Sequence, residues 1–245
     1  MDFFDVNAGF GVSTLAPIKP AETPEVLLEE MEFEGVGEAL VFHAAMRDDH
    51  PSVGNVLVAE ACRANPRLHP AWAILPPQTE ELGTVPEFLA AMKEHGVRAL
   101  RAFPTQHRYG LNCTTFGPLF DEMYARHIPL IVPGEWGMVE SLLRDFPYLT
   151  VIANQLSNHG QDRYFRPLIE RYPNFYVDTS RYECDGGIAA FVRKYGHERM
   201  LFGSGFPDQT FFRGVLTLAH ADIPDDARAA IAGGNLRRLL QEVKL

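Results

Sequence analysis

The sequence is poor in cysteine and has no paired-cysteine motif. Cys62, Cys113 and Cys184 are widely spaced, and no CxxC or Cys/His zinc pattern surrounds them. Neither a zinc finger nor a disulfide framework is therefore predicted, and reduced thiols in a cytoplasmic protein are the simplest interpretation. The N-terminal segment lacks the basic stretch of a secretory signal, and no uninterrupted apolar run has the length of a membrane span. We expect a cytoplasmic location and no membrane partner.

Positive charge is also scarce. The 245 residues include 22 lysines and arginines against 32 aspartates and glutamates, which gives a formal net charge of −10. This balance argues against nucleic acid and anionic membrane surfaces as partners. It does not exclude an anionic small molecule, because a local site can carry the opposite sign. The hydrophobic fraction of 46% is sufficient for a large core.

What the sequence does contain is a regular alternation of short apolar segments and amphipathic helical segments, without a linker. Parallel strands need crossover connections, so this order predicts an α/β fold. We predict a single (β/α)₈ TIM-like barrel over residues 1–245, with closing helices at about residues 223–243. An open doubly wound sheet is the alternative. The predicted strands are Phe3–Asn7, Ala39–His43, His69–Leu75, Val97–Phe103, Pro129–Val132, Thr150–Asn154, Phe175–Thr179 and Met200–Gly203.

Several segments in this order resemble one family of barrels. They are FFDVNAGFG, MYARHIPLIVPGE, DFPYLTVIANQLSNHG, YPNFYVDTS with GHERMLFGSGFP, and IAGGNLRRLL. Together they resemble the amidohydrolase-related (amidohydrolase family 2) proteins over nearly the whole chain. The resemblance implies a TIM barrel that hydrolyses small molecules. It also allows a homodimer, although the sequence carries no interface signature.

The resemblance fails at the positions that usually bind the catalytic metal in this family. The two histidines of the first strand correspond to Asn7 and Gly9, and those of strands five and six to Pro133 and Gln155. The aspartate of strand eight corresponds to Gly205. Zinc prefers imidazole, thiolate or carboxylate ligands, which these residues do not offer. We therefore predict a subgroup that lacks the metal-binding histidines, with no metal site of the family type and no cofactor.

Functional groups in such a barrel lie at the carboxyl ends of the strands and on the loops that follow. Strand alternation separates Arg101 from Arg98, so one of the two must point into the barrel, and Arg101 is nearer its mouth. Its guanidinium could bind a carboxylate or form an internal salt bridge with Glu135 or Asp178. We predict His107, Glu135 and Asp178 as catalytic residues. The predicted substrate-binding residues are Asn7, His43, Arg101, Tyr109, Asn154, Gln155, Ser180 and Ser204, and Asp208 is near them.

Three functions remain open from the sequence. The first is a metal-independent hydrolase, similar to a lactonase, acting by acid–base chemistry on a small carboxylated and therefore anionic substrate. The second is a non-catalytic barrel that binds a small molecule or regulates a partner, since every usual catalytic position is replaced. The third is a metal-dependent hydrolase with an atypical ligand set: His43, His107, Glu135 and Asp178. The cluster Asp48, Asp49 and His50 is a further candidate for a metal site, but we interpret it as a helix-capping stretch.

Overall fold

A computed structural model describes residues 1–156, 160–182 and 184–245. Eight parallel strands form one sheet in chain order. Their bounds are β1 Phe3–Phe10, β2 Val36–His43, β3 Leu68–Ala73, β4 Ala99–Arg101, β5 Leu130–Pro133, β6 Val151–Asn154, β7 Phe175–Asp178 and β8 Met200–Leu201. Each of the eight predicted strands is present.

The sheet closes on itself between its first and last strands. Val6 N donates to Phe202 O over 2.9 Å, and Gly205 N donates to Asn7 O over 3.1 Å. These bonds join β1 to the segment that continues β8. The prediction of a (β/α)₈ barrel is confirmed, and the open sheet is wrong.

Helices cover the outside of the barrel. They are α1 Pro24–Glu34, α2 Ala45–Asp48, α3 Pro51–Ala64, α4 Val85–Glu94, α5 Pro104–His107, α6 Cys113–Ala125, α7 Trp136–Asp145, α8 Asp162–Arg171, α9 Gly187–Tyr195, α10 Phe211–Ala219, α11 Asp225–Ala229 and α12 Asn235–Gln241. Thr84 and Glu87 form a capping box at the start of α4. No helix in the described ranges is long and apolar enough to cross a membrane.

The inside of the barrel is filled by a small apolar cluster, and α12 closes its lower end. Leu236, Leu239 and Leu240 of α12 pack against inward side chains from the strands, which are Phe4, Val6, Leu40, Ala71, Ala99, Ile131, Ile152, Tyr176 and Leu201. Arg98 Nη1 donates to Leu240 O over 2.9 Å at this lower end. Helix α12 thus packs over the core at the amino ends of the strands.

A bulge in β1 changes which of its side chains face the interior. Asp5 pairs with Ala39 and Ala8 pairs with Val41, so β1 advances three residues while β2 advances two. Val6 belongs to the inner cluster, and the side chain of Asn7 next to it reaches Arg101 inside the barrel. Strict alternation would have placed Val6 and Asn7 on opposite faces.

Helix α3 packs closely against α2, the short helix that follows β2. A Cβ atom added to Gly54 would lie 2.4 Å from Met46 N, a main-chain atom of α2. We expect Gly54→Ala to lower the free energy of unfolding by about 1–3 kcal/mol through overpacking. A Cβ atom added to Gly137 in α7 would have no neighbour within 4 Å, so Gly137→Ala should be neutral or stabilising by roughly 0.5 kcal/mol. Urea unfolding of both variants tests this, and equal effects would contradict the packing argument.

Candidate active site

A cavity of about 440 Å³ opens at the carboxyl ends of the strands. This is the end of the barrel at which the sequence predicts the functional residues. Three arginines and two carboxylates contribute to its wall, together with polar and aromatic side chains. The lining residues are Leu15, Ala16, Phe42, Arg47, Arg101, Ala102, Phe103, Gln106, Pro133, Glu135, Asn154, Gln155, Arg181, Gly205, Asp208 and Gln209.

Arg101 lies at the floor of this cavity and is only 3% exposed. Its Nη1 donates to Asn7 Oδ1 over 2.9 Å, and its guanidinium lies 4.4 Å from the centre of the Phe42 ring. Its Nε and Nη2 are buried without a hydrogen-bond partner among the described residues. Burial lowers the pKa of Arg101 to about 10, against the attraction of Asp178 and Asp5. The group thus keeps its charge at neutral pH with two donors unsatisfied.

Two fully buried carboxyl groups, those of Asp5 and Asp178, attract the guanidinium of Arg101. Burial raises the pKa of Asp5 to about 6, although Ser204 and the Asn7 main chain donate hydrogen bonds to it. Burial raises the pKa of Asp178 to about 7, although Ser180 donates to it and Arg101 attracts it. Each keeps one carboxylate oxygen, Oδ2, without a hydrogen-bond partner in the described part of the chain. Both therefore titrate near neutrality, far above the range of an exposed aspartate.

A polar network connects these buried groups to the cavity wall. Ser180 Oγ donates to Asp178 Oδ1 over 2.5 Å and accepts from Gln155 N over 2.8 Å. Asn7 Nδ2 donates to Ser180 Oγ over 3.3 Å, and Asn154 Nδ2 donates to Asn7 Oδ1 over 3.3 Å. Asn7 is therefore the residue that links Arg101 to the Asp178 side of the barrel.

The rim of the cavity is formed by loop residues with their own ion pairs. Arg47 Nε lies 2.7 Å from Asp48 Oδ1, and its Nη1 lies 3.3 Å from Asp208 Oδ2. Burial opposes the charge on Arg47, but Asp48 and Asp208 together raise its pKa. Glu135 Oε1 accepts from Thr105 Oγ1 over 2.9 Å. Arg47 is thus paired directly with two carboxylates, whereas Asp178 and Asp5 attract Arg101 without a hydrogen bond to it among the described residues.

Comparison with known proteins agrees with this geometry. The family model described as "Amidohydrolase" matches residues 12–241. The chain belongs to the amidohydrolase family. A comparison with curated proteins gives no match.

Solved structures share the amidohydrolase fold at low identity. An uncharacterized TIM-barrel protein from Bordetella bronchiseptica is 21% identical, with a TM-score of 0.74 and 99% of both chains covered. A 2,6-dihydroxybenzoate decarboxylase from Rhizobium is 15% identical, with a TM-score of 0.76 and coverage of 98% and 99%. A probable 2-pyrone-4,6-dicarboxylic acid hydrolase from Acinetobacter baumannii, with citric acid bound, is 12% identical, with a TM-score of 0.74 and coverage of 98% and 100%. At these identities, the likeness establishes the fold alone.

The usual metal site of the amidohydrolase family does not fit the residues of this chain. A Cβ atom at Gly9 would lie 2.5 Å from Phe42 Cε1, so the Phe42 ring occupies the space next to the backbone there. Gly205 has a φ of +74°, a conformation in which an aspartate would be strained. In the described ranges, no group of three or more His, Cys, Asp or Glu side chains could hold a metal ion.

The atypical metal set proposed from the sequence is not assembled either. His43 Nδ1 accepts from Ala45 N over 3.1 Å, and burial lowers the pKa of His43. His107 Nε2 lies 2.7 Å from Met46 O, on the contact between α5 and α2. The cluster Asp48, Asp49 and His50 contains a helix cap, as interpreted from the sequence: His50 Nδ1 accepts from Ser52 N over 3.2 Å at the start of α3, and Asp48 pairs with Arg47.

The structure separates the predicted site residues into three groups. Arg101, Glu135, Asn154 and Gln155 line the cavity, as does Asp208. A second group lies buried beside Arg101 and Asp5, without lining the cavity: Asn7, Asp178, Ser180 and Ser204. The third group, His43, His107 and Tyr109, is directed at main-chain partners away from the cavity lining.

His107 and Tyr109, which follow β4, contact main-chain atoms and do not line the cavity. Tyr109 Oη accepts from Phe103 N over 3.0 Å and donates to Ile74 O over 3.1 Å. Burial raises the pKa of Tyr109 well above its usual range. This hydroxyl therefore fixes the loop, and Gln106 is the residue of α5 that lines the cavity. His107, predicted as catalytic, therefore does not line the cavity with Arg101.

Sequence reasoning missed several residues of the site. Asp5 lies within the first motif and is a carboxylate in an otherwise apolar strand, which was a usable signal. Phe42 precedes His43, and strand alternation places it on the other face. Arg47, Arg181 and Gln209 come from loops or short helices, and no sequence pattern indicated that they would meet at the cavity.

Because two donors of Arg101 are buried without a partner among the described residues, we expect this residue to lower the free energy of unfolding. We expect Arg101→Met to raise the free energy of unfolding of the ligand-free protein by about 1–2 kcal/mol at pH 5.5, where Asp5 and Asp178 are largely protonated. Asn7 Oδ1 would retain its bond from Asn154. Arg98→Met, on the opposite end of the same strand segment, is the matched control and should be neutral or slightly destabilising. Urea unfolding measures both, and a large loss of stability in Arg101→Met would contradict the expectation.

The raised pKa values of Asp5 and Asp178 predict how stability depends on pH. Between about pH 4 and pH 7 the folded chain retains protons that the unfolded chain releases, so the contribution of these groups is lost as pH rises. Asp178→Asn removes one of them. The stability of this variant relative to the unmodified protein should therefore increase from pH 4.5 to 7.5, by up to about 1.4 kcal/mol per pH unit. Urea unfolding across this range tests the sign, and a difference that is constant or falls with pH would refute it.

Proposed function

We propose that the chain binds a small carboxylated compound in the mouth cavity, with Arg101 as its anchor, and hydrolyses it without a metal ion. The single observation that carries this proposal is the buried guanidinium of Arg101. Its Nε and Nη2 are satisfied neither by a described residue nor by bulk water. A planar carboxylate that reaches the floor of the cavity would supply the missing acceptors.

The surroundings of Arg101 favour a ligand with an apolar body and an acidic group. Phe42 and Phe103 line the cavity next to the guanidinium, and their ring centres lie 4.4 and 6.0 Å from its central carbon. Asn154 and Gln155 add amide groups that can bind further oxygens. The similar structures include proteins named for 2,6-dihydroxybenzoate and 2-pyrone-4,6-dicarboxylic acid, both of which carry carboxyl groups.

Hydrolysis is the reaction class that suits the groups at the wall. Glu135 lines the cavity, and in the described part of the chain Thr105 is its single hydrogen-bond donor. Glu135 is placed to take a proton from water as the water oxygen adds to a lactone carbonyl. The ring C–O bond then breaks, and the leaving oxygen receives the proton. Asp178 does not line the cavity, so we assign it a positioning role through Ser180 rather than contact with substrate.

A non-catalytic binding protein is the second candidate, and one observation favours it. Among the described residues that line the cavity there is no histidine. The two carboxylates of the lining are also both engaged, Glu135 by Thr105 and Asp208 by Arg47. Binding and turnover therefore have to be measured separately.

Calorimetry with benzoate tests the anchor. Loss of a charged hydrogen-bonding partner costs about 1.5–3 kcal/mol, so Arg101→Met should bind benzoate at least about tenfold more weakly than the unmodified protein. Arg98→Met should bind as the unmodified protein does. Equal binding by the unmodified protein and Arg101→Met would overturn the assignment of Arg101.

Turnover is then tested on lactones that carry a ring carboxylate. We expect hydrolysis that survives chelator treatment, in protein whose metal content by elemental analysis is well below one ion per chain. Glu135→Gln should reduce the rate by about 10²–10⁴ while benzoate binding is retained. Binding without turnover of any lactone would establish the binding protein instead. Chelator-sensitive hydrolysis with stoichiometric metal would overturn the metal-independent reaction.

A further inference from the structure

Three charged groups are buried together beneath the cavity, and their charges do not balance. Asp5 on β1 and Asp178 on β7 are both 0% exposed, and both attract the buried guanidinium of Arg101 on β4. Four of their polar atoms are buried without a partner in the described ranges: Asp5 Oδ2, Asp178 Oδ2, Arg101 Nε and Arg101 Nη2. With all three groups ionised, the cluster carries a net charge of −1.

We infer that a carboxylate bound at Arg101 is accompanied by uptake of one proton by the Asp5–Asp178 pair. This inference rests on the proposed function, because it requires that Arg101 be the anchor of the ligand. It goes beyond that proposal by giving the two buried aspartates a role in binding. They act as positioning residues, because their protonation sets the net charge at the floor of the cavity.

The physical reason is the cost of excess charge in a buried region. A ligand carboxylate would bring the ionised cluster from −1 to −2 and would compete with both aspartates for the same guanidinium. Protonation of one aspartate restores the charge to −1 and leaves the guanidinium to the ligand. Burial already raises the pKa of Asp178 to about 7 and that of Asp5 to about 6, so protonation near neutral pH is inexpensive.

The other groups that face the pair do not replace this proton. Ser180 and Ser204 donate hydrogen bonds to the aspartates but do not titrate in this range. In the segment that follows β8, Gly203 lies against Asp178, since a Cβ atom there would lie 2.5 Å from Asp178 Oδ2. Arg47 of α2 acts on Arg101 only at a distance, and its charge is held by Asp48 and Asp208.

The remaining charged groups that line the cavity lie at its exposed edge. They are Glu135 at the start of α7 and Arg181 in the loop after β7. Solvent screens both of them from the floor. The proton that accompanies a buried carboxylate is therefore assigned to the Asp5–Asp178 pair.

The inference fixes the sign of the pH dependence of binding. Above about pH 7 both aspartates are ionised in the free protein, so binding requires a proton. The affinity for a ligand that stays ionised should then fall by up to tenfold per pH unit. Below about pH 5.5 the aspartates are already protonated, and the affinity should change little with pH.

Calorimetric titration with benzoate in two buffers counts the protons directly. The heat of binding is measured at pH 8 in Tris and in HEPES, which differ in ionisation enthalpy, and again at pH 5.5 in two further such buffers. We expect uptake that approaches one proton per benzoate at pH 8 and little uptake at pH 5.5. This measurement uses the unmodified protein and does not depend on a variant that must fold.

Variants of the two aspartates identify the group that takes up the proton on benzoate binding. Asp178→Asn should clearly reduce the uptake at pH 8 and flatten the pH dependence of the affinity, and Asp5→Asn is the second variant if Asp178→Asn does not fold. Glu38→Gln removes a carboxylate at the start of β2, where it pairs with Arg237 and does not line the cavity, and uptake should persist. Benzoate binding that depends on Arg101 but takes up no proton would overturn this inference alone. No benzoate binding at all would overturn the proposed anchor as well.

Discussion

The burial of one guanidinium at the barrel mouth is the constraint on which the site depends. Arg101 is 3% exposed, and a charge in that position needs compensation from its surroundings. Asn7 accepts one of its hydrogen bonds, the Phe42 ring lies against it, and Asp5 and Asp178 attract it from two other strands. The compensation is incomplete, because two donors remain without a partner among the described residues. Burial is unfavourable for the aspartates as well, since their pKa values approach neutrality.

The replacements at the usual metal-binding positions form a consistent set rather than independent losses. Phe42 fills the space beside Gly9 and also packs against Arg101, so the residue that blocks a histidine at position 9 is the one that supports the cation. Gly205 adopts a left-handed conformation and donates its N–H to Asn7 O, and Asn7 holds Arg101. The mouth of this barrel thus holds the guanidinium of Arg101, which Asn7 and Phe42 contact directly.

The architecture could be predicted from the sequence because strand and helix periods repeat eight times, and errors at single boundaries do not change the topology. Alternation predicted that one of Arg98 and Arg101 points inward, and the structure shows that it is Arg101. The same rule failed in β1, where the bulge between Asp5 and Ala8 brings Asn7 inside next to Val6. Strand alternation also does not predict where side chains outside the strands lie. His107 and Tyr109 contact main-chain atoms, whereas Arg47 and Arg181 reach the cavity. Loop positions depend on tertiary contacts that have no period in the sequence.

A comparison of Arg98 with Arg101 indicates that the buried charge of Arg101 serves the cavity at the mouth rather than the stability of the fold. The two arginines lie three residues apart at opposite ends of the same strand segment. Arg98 is exposed at the lower end and donates to the carbonyl of Leu240, so it ties α12 to the barrel at little cost in desolvation. Among the residues that the structure describes, Arg101 makes a single hydrogen bond, through Nη1, and it loses its hydration at the upper end. A residue selected for stability would resemble Arg98. Unsatisfied donors at the floor of a cavity are instead what a site built to receive an anion requires.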